Sequence, residues 1–202
     1  MRNFKSLFLV FFLLSGFYGD AQDDINNNKR KRGQYSLVAY VGGGVGYYFS
    51  VAGVPSYLNP QVSKYSPVSS IRIMWHPDHL VRVGVETGRL RFLSYRFKDS
   101  VGNEGRIMVN AVPLLVEWSM AVKERLHLFA GSGVYFLTTK MNYAGEARSK
   151  KLSIGWMAAA AYMQPLSKDL NLGMELKWMD AAETTDGSFV LQLQLVWRFL
   201  KW

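Results

Sequence analysis

Three histidines, three glutamates and a glycine run are the residues of this chain that invite chemistry. His76 and His79 flank Pro77-Asp78, where two imidazoles and a carboxylate have the makings of a metal site. The same stretch also has the composition of a wet turn, and a turn is the expectation. His127 needs a nucleophile on its own face to serve as a general base. Ser132 lies an odd number of positions away, so in a strand it points to the opposite face. Gly42-Gly43-Gly44-Val45-Gly46 has the glycine density of a phosphate loop but lacks the Gly-Lys-Ser/Thr ending and a following helix. Glycine in a strand more often makes room for neighbouring side chains. Glu86, Glu117 and Glu175 form a formal acid–base set. Arg72, Arg82, Lys177 and Arg198 occupy similar polar positions, so the expectation is a structural plug of paired charges. The chain has no cysteine, which excludes a disulfide framework, a thiolate metal site and a cysteine nucleophile. No catalytic residue, cofactor or metal is expected.

The elements that carry these residues announce themselves by period two. Phe189, Leu191, Leu193, Leu195, Trp197 and Phe199 alternate with Ser188, Gln192, Gln194 and Arg198. Leu170 to Trp178 alternates likewise, with Glu175 and Lys177 on its polar side. Val81, Val83 and Val85 interleave with Arg82, Gly84 and Glu86, while Ile71, Ile73 and Trp75 flank Arg72. Val112, Leu114, Val116 and Trp118 stand against Glu117 and Ser119. Three further strands are expected at Tyr35–Ser50, Leu126–Thr139 and Leu152–Met163. The last contains four consecutive alanines, which favour helix, but Leu152, Ile154, Trp156, Ala158, Ala160 and Tyr162 keep period two. No strand alternates with a helical pattern, which disfavours a parallel α/β sheet.

Connections are expected near residues 51–66, 76–79, 98–105, 122–125, 141–150, 164–169 and 180–187. The longer ones follow every odd-numbered strand and the shorter ones every even-numbered strand, the asymmetry of an outer-membrane barrel. Prolines 55, 60, 67, 77 and 165 fall in or beside connections. Pro113 sits inside a strand and predicts a bulge or a local break in pairing.

The chain has 202 residues, a net charge of +9, 49% hydrophobic residues and 19% charged ones. With 12 Phe, 11 Tyr and 6 Trp, that balance argues against disorder and for one domain. Residues 1–21 are expected to be a cleavable signal peptide. Arg2 and Lys5 precede an apolar run from Ser6 to Tyr18, and Gly19-Asp20-Ala21 supplies small residues at the cleavage site. Residues 22–34, with Lys29-Arg30-Lys31-Arg32, are expected to be a flexible polar lead. On an exported chain no nucleic-acid partner is expected.

Which face is greasy decides the solvent. A soluble lipocalin-like barrel hides its apolar face, whereas an eight-stranded membrane barrel turns it to lipid and fills its interior with polar side chains. The polar faces carry both signs: Arg72, Arg82, Glu86, Glu117, Glu175, Lys177, Gln192, Gln194 and Arg198. Two sets of aromatics decide for the membrane. Trp75, Trp118, Tyr162, Trp197 and Phe199 fall at the short-turn end, and Tyr95, Phe136, Trp156 and Trp178 fall toward the long-loop end, as two interfacial girdles would. Lys64, Lys98, Arg148, Lys150 and Lys151 lie at the long-loop end, where general solvation is the expectation and contact with lipopolysaccharide phosphates the alternative.

From Tyr35 to Phe199 the chain resembles the small outer-membrane β-barrel proteins of Gram-negative bacteria, the porin-family or PorT-like group. The carriers are the Ala21-Gln22 junction, Val112-Pro113-Leu114-Leu115-Val116-Glu117, and Leu193-Gln194-Leu195-Val196-Trp197-Arg198-Phe199. The resemblance implies an all-β, eight-stranded antiparallel up-and-down transmembrane barrel over residues 35–202. It also implies that Leu195, Trp197 and Phe199 form a signal for barrel-assembly machinery, although Leu200-Lys201-Trp202 extends past the usual terminal aromatic. The expected role is non-enzymatic: structural, or an interaction with an envelope protein such as a secretion or assembly complex. The alternatives are a lipid-modifying outer-membrane enzyme and a soluble lipid-binding barrel.

Overall fold

Alternating strands have two unlike faces, and a ring of them sorts those faces into an inside and an outside. The computed structural model describes residues 35–49, 62–77, 81–98, 102–143, 145–184 and 186–202. The expected signal peptide and lead, Pro55, Pro60, Asp78 and His79 lie outside the described residues. The strands are β1 (Ser36–Tyr48), β2 (Val62–Ser63), β3 (Tyr65–His76), β4 (Val81–Lys98), β5 (Glu104–Lys123), β6 (Leu126–Asn142), β7 (Glu146–Pro165), β8 (Leu170–Ala181) and β9 (Ser188–Lys201). Each long strand pairs antiparallel with the next, and β9 returns to β1 along Ser36↔Lys201 to Tyr48↔Ser188. That closes an eight-member ring. The two-residue β2 pairs with β4 through Val62↔Tyr95 and Ser63↔Ser94, beside the start of β3.

The outside is apolar. Ile71, Val85, Leu114, Ile154, Leu176 and Leu193 are all exposed, Ile154 at 72%. The inside holds Arg72 at 1% exposure and Glu117 at 0%. A soluble barrel has the reverse polarity, so this surface is built for lipid. Closure pairs the backbone of each strand with neighbours on both sides, as lipid demands. The alanine stretch is strand: Ala158 and Ala160 face outward while Ala159 and Ala161 are buried, so period two overrides helix propensity.

The connections differ from those expected. The polar segment 141–150 is largely strand, since β6 and β7 meet at Asn142↔Glu146, while of 98–105 only the ends are strand, where β4 and β5 meet at Lys98↔Glu104. Where β6 passes into β7, Gly145 has φ 152° and the Tyr143 N–H donates to the Gly145 carbonyl. Successive residues from Glu146 to Lys151 are all exposed, so pairing continues where hydropathy alternation stops.

Pro113 interrupts pairing without shifting it. The β4–β5 ladder runs to Thr87↔Leu114 and resumes at Leu90↔Ala111 in the same register. In the gap, Thr87 Oγ1 donates to the Pro113 carbonyl at 2.8 Å. Pro67 lies inside β3, not in a connection, where β3 pairs with β1 but not yet with β4. Each proline therefore turns its missing N–H toward an unpaired edge of β4.

The true bulge lies elsewhere in β4, between Arg91 and Leu93. One extra residue inverts the alternation beyond it. Tyr95, placed in the outer girdle by sequence, consequently pairs with Ile107 on the inward side, and Arg96 turns outward opposite Arg106.

Candidate functional site

The lumen is filled in three storeys. Toward the long-loop end Tyr48 and Phe92 pack edge to face at 5.4 Å, with Leu90, Tyr135, Leu137 and Met179 buried around them. This is an apolar stopper.

Beneath it lies a network of charge. Arg72 of β3 reaches three strands. Its Nη2 bonds Glu86 of β4, its Nη1 donates to Glu175 Oε2 of β8 at 2.9 Å, and its Nε lies 2.5 Å from Glu117 Oε2 of β5. The last contact is an ion pair without hydrogen-bond alignment, since both Glu117 oxygens lack a directed donor. Lys177 Nζ bridges Glu86 Oε1 at 2.5 Å and Glu175 Oε1 at 3.0 Å. Gln192 Nε2 donates to Glu175 Oε1 at 3.0 Å, and its own oxygen accepts from Ser70 Oγ at 3.2 Å. The Arg72 guanidinium stacks 4.2 Å from the centre of the Phe129 ring and 5.4 Å from that of Tyr40. Arg suits this place because its planar fork serves several carboxylates at once and its face accepts a ring. Three carboxylates meet two cations here.

Gly44 explains how Gln192 fits. A Cβ at Gly44 would stand 2.5 Å from the Gln192 Cα and 2.7 Å from its Cβ, so glycine at this position allows the close approach of β9.

The third storey, toward the short turns, is basic. Arg82 Nη1 lies 3.1 Å from His127 Nδ1, and the Tyr40 hydroxyl lies 3.4 Å from His76 Nε2. Arg198 faces the same mouth with its Nε unpartnered, and Gln194 is buried with Nε2 unpartnered. Sequence therefore placed all nine polar residues on inward positions. The structure joins Arg72, Glu86, Glu117, Glu175, Lys177 and Gln192, while Arg82, Gln194 and Arg198 line the lumen outside that network. Ser70, Tyr40 and Phe129 were missed. Phe129 shares the inward parity of His127, a usable signal, whereas Ser70 looks like any small polar strand residue.

Ser132 faces lipid and His127 the lumen, as their spacing requires. The inward serine nearest in register is Ser119, paired with Phe129 and Arg82. Its Oγ makes no hydrogen bond among the described residues. Among those residues no group of three or more His, Asp and Glu could hold a metal ion. A cavity of about 10 Å³ beside Ser70, Glu86, Lys177 and Met179 has room for roughly one water.

Leu195, Trp197 and Phe199 all face outward on β9, within the apolar belt at the short-turn end, joined there by Trp75, Trp118 and Tyr162. At the opposite end Trp178 and Phe189 pack edge to face at 4.8 Å. Phe136 and Trp156 are exposed outward as well.

An eight-stranded closed ring, an apolar exterior and a filled lumen make up the fold of a small outer-membrane β-barrel. The Ail attachment-invasion protein of Yersinia pestis has the same fold, with a TM-score of 0.52 at 13% identity over 82% of this chain and 99% of that chain. The N-terminal barrel domain of Pseudomonas aeruginosa OprF gives 0.46 at 11% identity, covering 81% and 98%. OprG of the same organism gives 0.42 at 9%, covering 83% and 97%. At such identity the likeness is one of fold. No family model and no curated protein matches the sequence.

Proposed function

We propose that this protein is a sealed, non-enzymatic outer-membrane barrel whose lumen is structural and whose ends and rim make its interactions in the cell envelope. The observation that carries this is the storeyed lumen. A network whose charged members are at most 1% exposed lies beneath an aromatic stopper, and a cavity beside it suits about one water. Eight strands give an interior just wide enough for side chains. The charges act as internal struts between β3, β4, β5, β8 and β9. The outward aromatics of β9 are the part offered to barrel-assembly machinery, and the partner at work is an envelope protein of a secretion or assembly complex.

Two measurements test this. Full-length mature protein in planar bilayers should show no stable ionic conductance; stepwise opening that changes in Arg72→Met would overturn the sealed lumen. His127→Ala should leave the acyl composition of the host's outer-membrane lipids unchanged. A changed composition would instead favour a lipid-modifying enzyme.

A further inference from the structure

Cross-strand pairing orders the outer face of β4–β7 into rows. The row Val112–Phe136–Leu152 closes the apolar belt, because Phe136 and Leu152 are its exposed upper edge there. Immediately beyond it runs Arg91–Asn110–Thr138–Lys150, then Ser94–Met108–Lys140–Arg148, then Arg96–Arg106–Asn142–Glu146. These three rows carry six cations and one carboxylate. Residues directly opposite share a face and lie within side-chain reach.

Two of these oppositions are like-charged: Arg96 faces Arg106, and Lys140 faces Arg148. Such pairs are destabilising unless an anion lies between them. Part of the charge is answered within the protein. Arg148 pairs with Glu146 at 2.6 Å, Arg91 donates to Asn110 at 3.2 Å, and Arg106 donates to Ser94 at 3.3 Å. Arg96, Lys140 and Lys150 make no hydrogen bond or close ion pair with described residues, and only Arg96 is near a carboxylate, that of Glu104, which Lys98 already holds. The bulge in β4 supplies Arg96 to this face, since an unbroken strand would have turned it inward.

The other half of the rim is built differently. Ala158–Trp178–Phe189–Tyr47–Tyr65 is one continuous row across β7, β8, β9, β1 and β3, with Tyr47 and Tyr65 5.1 Å apart. Aromatic rings suit any phospholipid interface. Cations on an outward face just past the apolar belt, where lipid headgroups begin, suit phosphate.

We propose that the outer face of β4–β7, centred on Arg96, Lys140 and Lys150, binds the phosphate groups of a phosphorylated lipid of the outer leaflet, with its acyl chains on the belt below. This rests on the membrane orientation of the proposed function but not on a sealed lumen. It also revises the residue set expected from sequence. Lys98 and Lys151 are held by Glu104 and Glu183, Lys64 sits over Tyr47 on the aromatic side, and Lys150 belongs to the site.

The test uses full-length mature protein in phosphatidylcholine nanodiscs doped with lipid A, either bis-phosphorylated or dephosphorylated, with bound lipid read by native mass spectrometry. The protein should retain the phosphorylated form, and Arg96→Gln/Lys140→Gln/Lys150→Gln should lose on the order of 100-fold in affinity. Lys64→Gln/Lys151→Gln/Lys201→Gln, with the same change in net charge, should lose little. Heat-shifted gel mobility verifies that each variant is folded, and single Lys140→Gln and Lys150→Gln variants replace any triple that fails it. Equal retention of dephosphorylated lipid would overturn the proposal, as would an unaffected rim variant. Displacement by millimolar inorganic phosphate would make this a patch for soluble anions and overturn it too. A conductance measurement would leave this result untouched, so failure here and failure of the sealed lumen are separable.

Discussion

Ion pairs occur in two regions of this barrel, and the same chemistry does different work in each. In the lumen Arg72, Glu86, Glu175 and Lys177 are at most 1% exposed and share partners across three strands. At the outer rim Lys98–Glu104, Arg148–Glu146 and Lys151–Glu183 bridge neighbouring positions with side chains 41% to 68% exposed. A wet pair exchanges water for a partner of similar worth. A buried pair costs several kcal/mol to desolvate, and losing one member strands the other. The lumen charges therefore dictate how strands align, while the rim charges decorate an alignment already made.

Breaking the lumen at its hub has the largest expected effect. Arg72→Met leaves three carboxylates facing Lys177 alone and should cost about 3–5 kcal/mol, measured as the urea midpoint of the barrel folded in lipid vesicles. Gln192→Leu removes one donor from Glu175 and leaves Ser70 without its acceptor; a loss of about 1–3 kcal/mol is expected in the same assay. Glu117→Gln sharpens the comparison, because it deletes the carboxylate that has no aligned donor and leaves two acids against two bases. Stability should hold within about 1 kcal/mol or rise. A loss as large as that of Arg72→Met would show that the unaligned contact matters as much as the aligned ones.

The rim lies at the bottom of the scale. Glu104→Gln should leave the urea midpoint unchanged within error. The Lys98 hydrogen bond, then its charge, holds the Glu104 carboxyl below the usual carboxylate range and raises Lys98. The pair's small contribution is thus present above the ordinary glutamate pKa and fades as pH falls through the lowered one. An NMR titration of the Glu104 side chain should show that lowered midpoint in the wild type and a return to the ordinary value in Lys98→Ala.

Period two was legible wherever the two faces of a strand meet different solvents. Phe189 to Phe199 against Gln192, Gln194 and Arg198 showed both the strand and its orientation. Glu146 to Lys151 showed nothing, because water bathes both faces there and no hydropathy contrast survives. The Arg91/Leu93 bulge was equally hidden, so strict alternation put Tyr95 on the wrong face. In the lumen, sequence supplied the inward residues but not their pairings. Arg72 meets Glu175 across 103 positions and Ser70 meets Gln192 across 122, distances that ring closure alone sets.

The membership of the lumen network also bears on the order in which the barrel is made. Arg72, Glu86 and Glu117 arrive with the amino-terminal half of the ring, whereas Glu175, Lys177 and Gln192 come with β8 and β9. A half-built sheet holds two acids against one base and presents them to whatever lies beside it. Partial insertion into lipid is consequently penalised until the last hairpin docks on β1. Completion is all-or-none, and a newly exported chain must be kept away from the bilayer core until its final strand is in hand.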